Sequence, residues 1–103
     1  MRDGPFVLDD IDVDESDTIA FEFGKRLAAG ESIATVTLEV AAVAGVDAGA
    51  SGLAQGLPLI VGTDVLQNVI ARSQGVTYKL RCRAVKNTGR VLVSAALLRV
   101  VRL

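Results

Sequence analysis

The chain has 103 residues, with eleven Lys and Arg against twelve Asp and Glu, one Cys, no His and no Trp. That length suits one small domain, which buries roughly 60–70% of its unfolded surface. Without His the commonest general base and metal ligand are missing, one Cys cannot form an internal disulfide or a CxxC site, and a net charge of −1 gives no bulk attraction to nucleic acid or membrane.

Charge is laid out unevenly. Seven of the twelve acids precede residue 18, eight of the eleven bases lie from Arg72 onward, and no acid follows Asp64. This separation predicts an extended acidic N-terminal arm over residues 1–16 and a basic face on a domain over residues 17–103. The arm's apolar residues Phe6, Val7, Leu8, Ile11 and Val13 are scattered among its acids. Two partners are open to it: the basic face of its own domain, or a neighbouring copy. An arm of this composition is expected to be mobile alone, and its removal to leave the domain folded. The start Met1-Arg2-Asp3-Gly4-Pro5 has no signal-peptide pattern, and no apolar run approaches the length of a membrane span. Synthesis in a cytoplasm is expected.

In residues 17–23, Ile19, Phe21 and Phe23 alternate with Thr18, Ala20 and Glu22, which predicts a half-buried strand. Residues 24–31 connect it to a second alternating strand over 32–40, with Ala34, Val36, Leu38 and Val40 on its apolar face. Residues 41–56 carry six Ala and four Gly. Each Gly weakens a helix by about 1 kcal/mol, so a short strand near 43–46 and then a loop are expected. Residues 57–61 read as a short strand, with Pro58 confining it to an edge or a strand start. After the turn Gly62-Thr63-Asp64, residues 65–72 have a mixed period; their neighbours favour a strand over a helical turn.

The strongest pattern is residues 76–86. Val76, Tyr78, Leu80, Cys82 and Ala84 share one face; Thr77, Lys79, Arg81 and Arg83 share the other. A one-residue slip would bury the cations, so the register is fixed. Asn87-Thr88-Gly89 predicts a hairpin turn. In residues 90–102 both parities are apolar: Val91, Val93, Leu97 and Val101 on one, Leu92, Ala96, Leu98 and Val100 on the other. Such a strand needs two covers. One is the domain's own core. The other is the arm, the Ala/Gly loop or another chain.

No motif for catalysis is present. Asp10-x-Asp12-x-Asp14 begins like a calcium loop, but Glu15 stands where that loop needs Gly, and Phe21 where it needs a bidentate Glu. Cys82 falls on the apolar parity, with no His to activate it, and reads as a small buried hydrophobe. The stripe Lys79, Arg81, Arg83 has no aromatic residue interleaved on its face, so a nucleic-acid stacking platform is missing. No catalytic residue, metal site or cofactor is expected.

Residues Gly75 to Arg90, GVTYKLRCRAVKNTGR, resemble the last hairpin of a fibronectin type III or immunoglobulin-like sandwich, with Tyr78 at the place of that fold's corner tyrosine. A broader resemblance covers residues 17–103. The segments LAAGESIATVTLEV and GVTYKLRCRAVKNTGRVLVSAALLRV, separated by a Gly-rich middle, look like small virion proteins of tailed phages of the fiber-tail adaptor kind, which carry LAxGETIxxxTxxV and then GxxYxxxxxxxTxxGR. The resemblance implies a virion component without catalytic activity.

The combined expectation is an all-β, immunoglobulin-like antiparallel β-sandwich of about seven strands. Its function is structural, in the tail or neck of a phage particle, joining fibers or tail proteins. A capsid decoration or cement protein is the alternative within that class. A carbohydrate- or host-surface-binding module is the rival outside it, disfavoured by only four aromatic residues. Expected partners are other virion proteins and further copies of the chain, with no nucleic acid and no membrane. The residues expected at the contacts are Asp9, Asp10, Asp12 and Asp14 of the arm, Arg81 and Arg83 of the basic stripe, and Val91, Val93 and Leu97 of the last strand.

Overall fold

Side chains two apart on a strand share a face, and burial in this chain follows that rule closely enough to define two inner faces. The structure, a computed structural model, describes residues 5–103; the first four residues of the expected arm lie outside it. In chain order the strands are β1 (Phe6–Val7), β2 (Ile11–Asp12), β3 (Ser16–Glu22), β4 (Ile33–Ala44), β5 (Ala54–Val61), β6 (Asp64–Ile70), β7 (Thr77–Lys86) and β8 (Val91–Val101). Two short 3-10 turns, Gly24–Arg26 and Ala50–Leu53, lie in the connections.

One sheet has the order β3-β6-β5; the other runs β1-β8-β7-β4, with β2 also on β8. With β3 to β8 taken as the second to seventh strands, these are the B-E-D and C-F-G pairings of an immunoglobulin constant-type sandwich. The fold is an all-β sandwich. One hydrophobic cluster spans both sheets. Ile19, Phe21, Phe23, Val65 and Val69 come from one side. Tyr78, Leu80, Cys82, Ala84, Leu92, Ala96, Leu98 and Val100 come from the other. Burial pushes the Cys82 thiol up to about 11, so it stays protonated and acts as a small core side chain.

The expected strands over 17–23, 32–40, 65–72, 76–86 and 90–102 each appear within a few residues of those bounds. The hairpin after β7 turns through Gly89, whose φ of 90° no β-carbon tolerates cheaply. The separate short strand expected near 43–46 is absent. Residues 33–44 form one strand, because β4 pairs with β7 as far as Ala44 opposite Thr77. The strand expected over 57–61 begins earlier, at Ala54, and bulges between Gln55 and Leu59, which places Pro58 in an irregularity of an edge strand.

The bulge has a counterpart inside the core. Gln67 falls on the inner parity of β6, between Val65 and Val69, and is fully buried. Its Nε2 donates to the carbonyls of Asn68 at 2.8 Å and of Gly56 at 3.2 Å, the latter inside the bulge. Its Oε1 has no partner among the described residues. The amide thus occupies the space where β5 leaves the ladder.

The Ala/Gly connection is built around one arginine. Arg72 Nε donates to Asp47 Oδ2 at 2.8 Å, and the Gly49 N–H donates to Asp47 Oδ1 at 2.9 Å. A β-carbon on Gly49 or Gly52 would come within 2.6 Å of a guanidinium nitrogen of Arg72. Either side chain would push the guanidinium off its seat. The Tyr78 hydroxyl, at the expected corner, donates to Asp47 Oδ2 at 2.7 Å and accepts the Ser73 N–H at 3.1 Å. The Arg72 hydrogen bonds, with Tyr78 second, hold the Asp47 carboxyl well below the usual carboxylate range.

Three more carboxyls are lowered in the fold. Arg99 lowers Asp10, the Leu103 and Asp14 N–H groups lower Asp12, and the Ala28 N–H and then Lys86 lower Glu31. Each group's folded value lies below its unfolded one. Its contribution is complete above the unfolded carboxylate value and is lost as pH falls through the folded one. Thermal unfolding is therefore expected to be nearly pH-independent from pH 7 to about 5, with the midpoint falling steadily below about pH 4. A midpoint unchanged down to pH 2.5 would contradict the Asp47 network.

Candidate interaction surface

The described part of the expected arm does not extend away from the domain. Residues 6–7 and 11–12 pair in parallel with β8, Phe6 opposite Ala96 and Ile11 opposite Val100. The backbone N–H of Leu8 reaches the Leu97 carbonyl, and that of Val13 the Val101 carbonyl. Ile11 is only 5% exposed, and the Phe6 ring meets Phe21 edge-on with centroids 5.9 Å apart. Farther along the same edge, Arg26 Nη1 donates to the Val93 carbonyl at 2.9 Å, its guanidinium lying over the Phe23 ring. The edge of β8 is thus blunted by the chain itself. The expectation of an extended arm is corrected over its described residues: Ile11 is buried, and residues 6–7 and 11–12 are paired with β8. The apolar residues of the arm read as scattered only because their partners lie some ninety positions away.

Among the described residues, the acids of the arm do not pair with the basic stripe. Asp10 pairs with Arg99 through both carboxylate oxygens. Asp12 Oδ1 accepts the Leu103 N–H at 2.9 Å, and its Oδ2 accepts that of Asp14 at 2.9 Å. Asp9 and Asp14 are exposed. Asp10 and Asp12 are thus turned to separate partners, and among the described residues no cluster of carboxylates has a metal-holding arrangement.

With the arm used along an edge, the outer face of β4-β7-β8 is left open. Its rows follow from the register: Thr35, Val85 and Val91; then Thr37, Arg83 and Val93; then Glu39, Arg81 and Ala95; then Ala41, Lys79 and Leu97, extended by Val7 on β1. Val7 is 78% and Val91 39% exposed, while Val93 and Leu97 are half-buried. Leu92 and Leu98, on the opposite parity, are covered by the core. The two apolar faces expected of residues 90–102 are therefore real; among the described residues one is enclosed in the core and the other is half-covered.

Among the described residues the ion pairs are Arg72–Asp47, Lys86–Glu31 and Arg99–Asp10. Lys79, Arg81 and Arg83 make none. Arg83 is exposed; Lys79 and Arg81 are half-buried. The face thus combines a line of cations down its middle with a line of aliphatic side chains beside it. It can pair with carboxylates and cover apolar surface in one contact. Sequence parity located Lys79, Arg81, Arg83, Val91, Val93 and Leu97, whereas the place of Val7 on the face depends on the parallel pairing of β1.

A second exposed apolar group escaped the sequence reading. Leu57 is 92%, Leu59 60% and Val61 49% exposed along β5, the edge of the smaller sheet. The only signal for it was the solid apolar run LPLIV, which reads equally well as a buried strand. No helix among the described residues is long and apolar enough to cross a membrane. In comparisons with known proteins, no family model, no curated protein and no solved structure matches this chain.

Proposed function

We propose that this chain is a non-enzymatic structural component of a tailed bacteriophage particle, seated at the tail or neck, where it connects fibers or tail proteins. It is made in the host cytoplasm and resides in the virion, among other virion proteins and further copies of itself. The observation that carries the reading is the outer face of β4-β7-β8. Among the described residues Lys79, Arg81 and Arg83 make no ion pair with the chain's own acids, although Glu39 stands opposite Arg81 in the register, and Val91, Val93 and Leu97 line up beside them. A protein contact uses both the cations and the aliphatic side chains of such an open sheet face. The order of the LAAGESIATVTLEV and GVTYKLRCRAVKNTGR segments, similar to that of small tailed-phage virion proteins, supplies the setting.

Replacing Arg81 and Arg83 together by Glu tests this directly. Both side chains lie on the outer face, so the fold is expected to hold, with stability changed by less than about 1 kcal/mol. Incorporation into purified particles, read by quantitative mass spectrometry against the unaltered chain, is expected to fall by about tenfold or more, as like charges meet across the contact. Undiminished incorporation of the folded double variant would overturn the reading.

A further inference from the structure

In a constant-type sandwich the first strand pairs with the second, on the sheet that here holds β3, β6 and β5. In this chain β1 and β2 lie on β8 instead, and among the described residues the outer edge of β3 carries no strand. The bonds from Ala71 N–H to the Glu15 carbonyl and from Phe23 N–H to the Thr63 carbonyl show that odd-numbered residues of β3 face β6. The backbone groups of Thr18, Ala20 and Glu22 therefore face outward. Asp17 Oδ1 takes the Thr18 N–H at 2.7 Å, and the other outward groups remain available.

Beside this edge runs a groove of about 210 Å³, between the arm and β3. Its apolar lining is Leu8 and Ala20 over a floor of the core residues Ile11, Ile19, Val69 and Leu98. Its acidic lining is Asp9, Asp10, Glu15 and Asp17, and no Lys or Arg lines it. Asp10 is neutralised by Arg99; the other three acids have no cation within ion-pair distance among the described residues. An open strand edge, an apolar slot for alternate side chains and an uncompensated negative rim occur together.

We propose that the β3 edge accepts an extended segment of a partner protein in which aliphatic residues alternate with Lys or Arg. The segment adds a strand next to β3. Its backbone pairs with Ala20 and its neighbours, its aliphatic side chains enter the slot, and its cations meet Asp9, Glu15 and Asp17. The site is separate from the outer face of β4-β7-β8, so either can fail without the other.

The test uses the full chain, labelled with ¹⁵N, and three synthetic peptides: one alternating Val with Lys, one alternating Val with Glu, and the Lys peptide with a central Pro. The Lys peptide is expected to shift the amide signals of Thr18, Ala20 and Glu22 at concentrations below roughly 1 mM. It is also expected to slow hydrogen exchange at Ala20. The Glu and Pro peptides are expected to bind at least about tenfold more weakly. Ala20→Pro removes an outward N–H from an edge strand, a placement that proline tolerates. That variant is expected to keep the native spectrum and lose the response. Asp17→Asn keeps an acceptor for the Thr18 N–H and is expected to weaken binding if the rim charge counts. Absence of shifts at roughly 1 mM, shifts confined to β7 and β8, or equal binding of the Glu peptide would each overturn the proposal. Concentration-dependent shifts at β3 without any peptide would overturn it in favour of a second copy.

Discussion

Ile11→Ala is expected to destabilise the protein by about 2–4 kcal/mol, enough to lower the unfolding midpoint of a domain this size by roughly 10–25 °C. Among the described residues before β3, Ile11 is the one apolar residue that the core buries, and it reaches the core from a two-residue strand held to β8 at Val100. Trimming it leaves a void against Ile19, Val69 and Leu98, which line the adjacent groove. It also loosens the clamp on the end of β8 that Asp10 makes with Arg99 and Asp12 with the Leu103 N–H. Deleting residues 1–13 is expected to cost more than the single substitution and to expose the edge of β8 beyond the Arg26 contact at Val93, promoting association through that edge. Urea unfolding of the two variants beside the unaltered chain checks both statements. A truncated chain with an unchanged midpoint would show that the N-terminal strands are an appendage.

Gln67→Glu is expected to cost about 3–5 kcal/mol at neutral pH, the range found when a buried charge is left without a partner. The amide nitrogen that now serves the Gly56 and Asn68 carbonyls would become an oxygen facing those same carbonyls, in a fully buried position. Burial and repulsion both raise the folded-state value of the introduced carboxyl above its unfolded value. The penalty is therefore complete above the raised value and is relieved as pH falls through it. The variant should gain stability between pH 8 and pH 5. Over that range the unaltered chain is nearly flat, because its lowered carboxyls titrate only at lower pH. A midpoint that rises on acidification in the variant alone is the expected signature. Parallel slopes would mean that residue 67 reaches water.

What could be read from sequence followed the range of the interactions involved. β7 was legible because a period of two over ten residues is set by the strand alone, and Tyr78, Leu80, Cys82 and Ala84 are all buried as that period requires. The cationic side of the same strand, with Arg81 and Arg83, was legible for the same reason. Gln67 was partly legible: it shares parity with Val65 and Val69, but a polar residue at an inner position can be explained only once the bulge of β5 is known to lie opposite it. The glycines at 49 and 52 were read as loop residues. Their reason is a guanidinium twenty or more positions away, which local spacing cannot reveal. The N-terminal strands were the hardest. Their acids gave the look of a solvated tail, and parallel pairing with β8 has no hairpin to announce it.

The two open surfaces lie on different parts of the sandwich and call for different partners. The outer face of β4-β7-β8 offers cations beside aliphatic side chains; the β3 edge offers carboxylates around an apolar slot. A component that joins two other proteins needs two such non-equivalent contacts, and opposite charge keeps each partner from the wrong one.

Gold-labelled antibody against the chain, imaged by negative stain on tailed-phage particles purified from cells that make the chain, tests the proposed structural role most directly. Label clustered at the tail or neck of intact particles is the expected result. Particles that carry no label while the lysate contains the folded chain, or label spread over the head instead, would contradict the proposed seat.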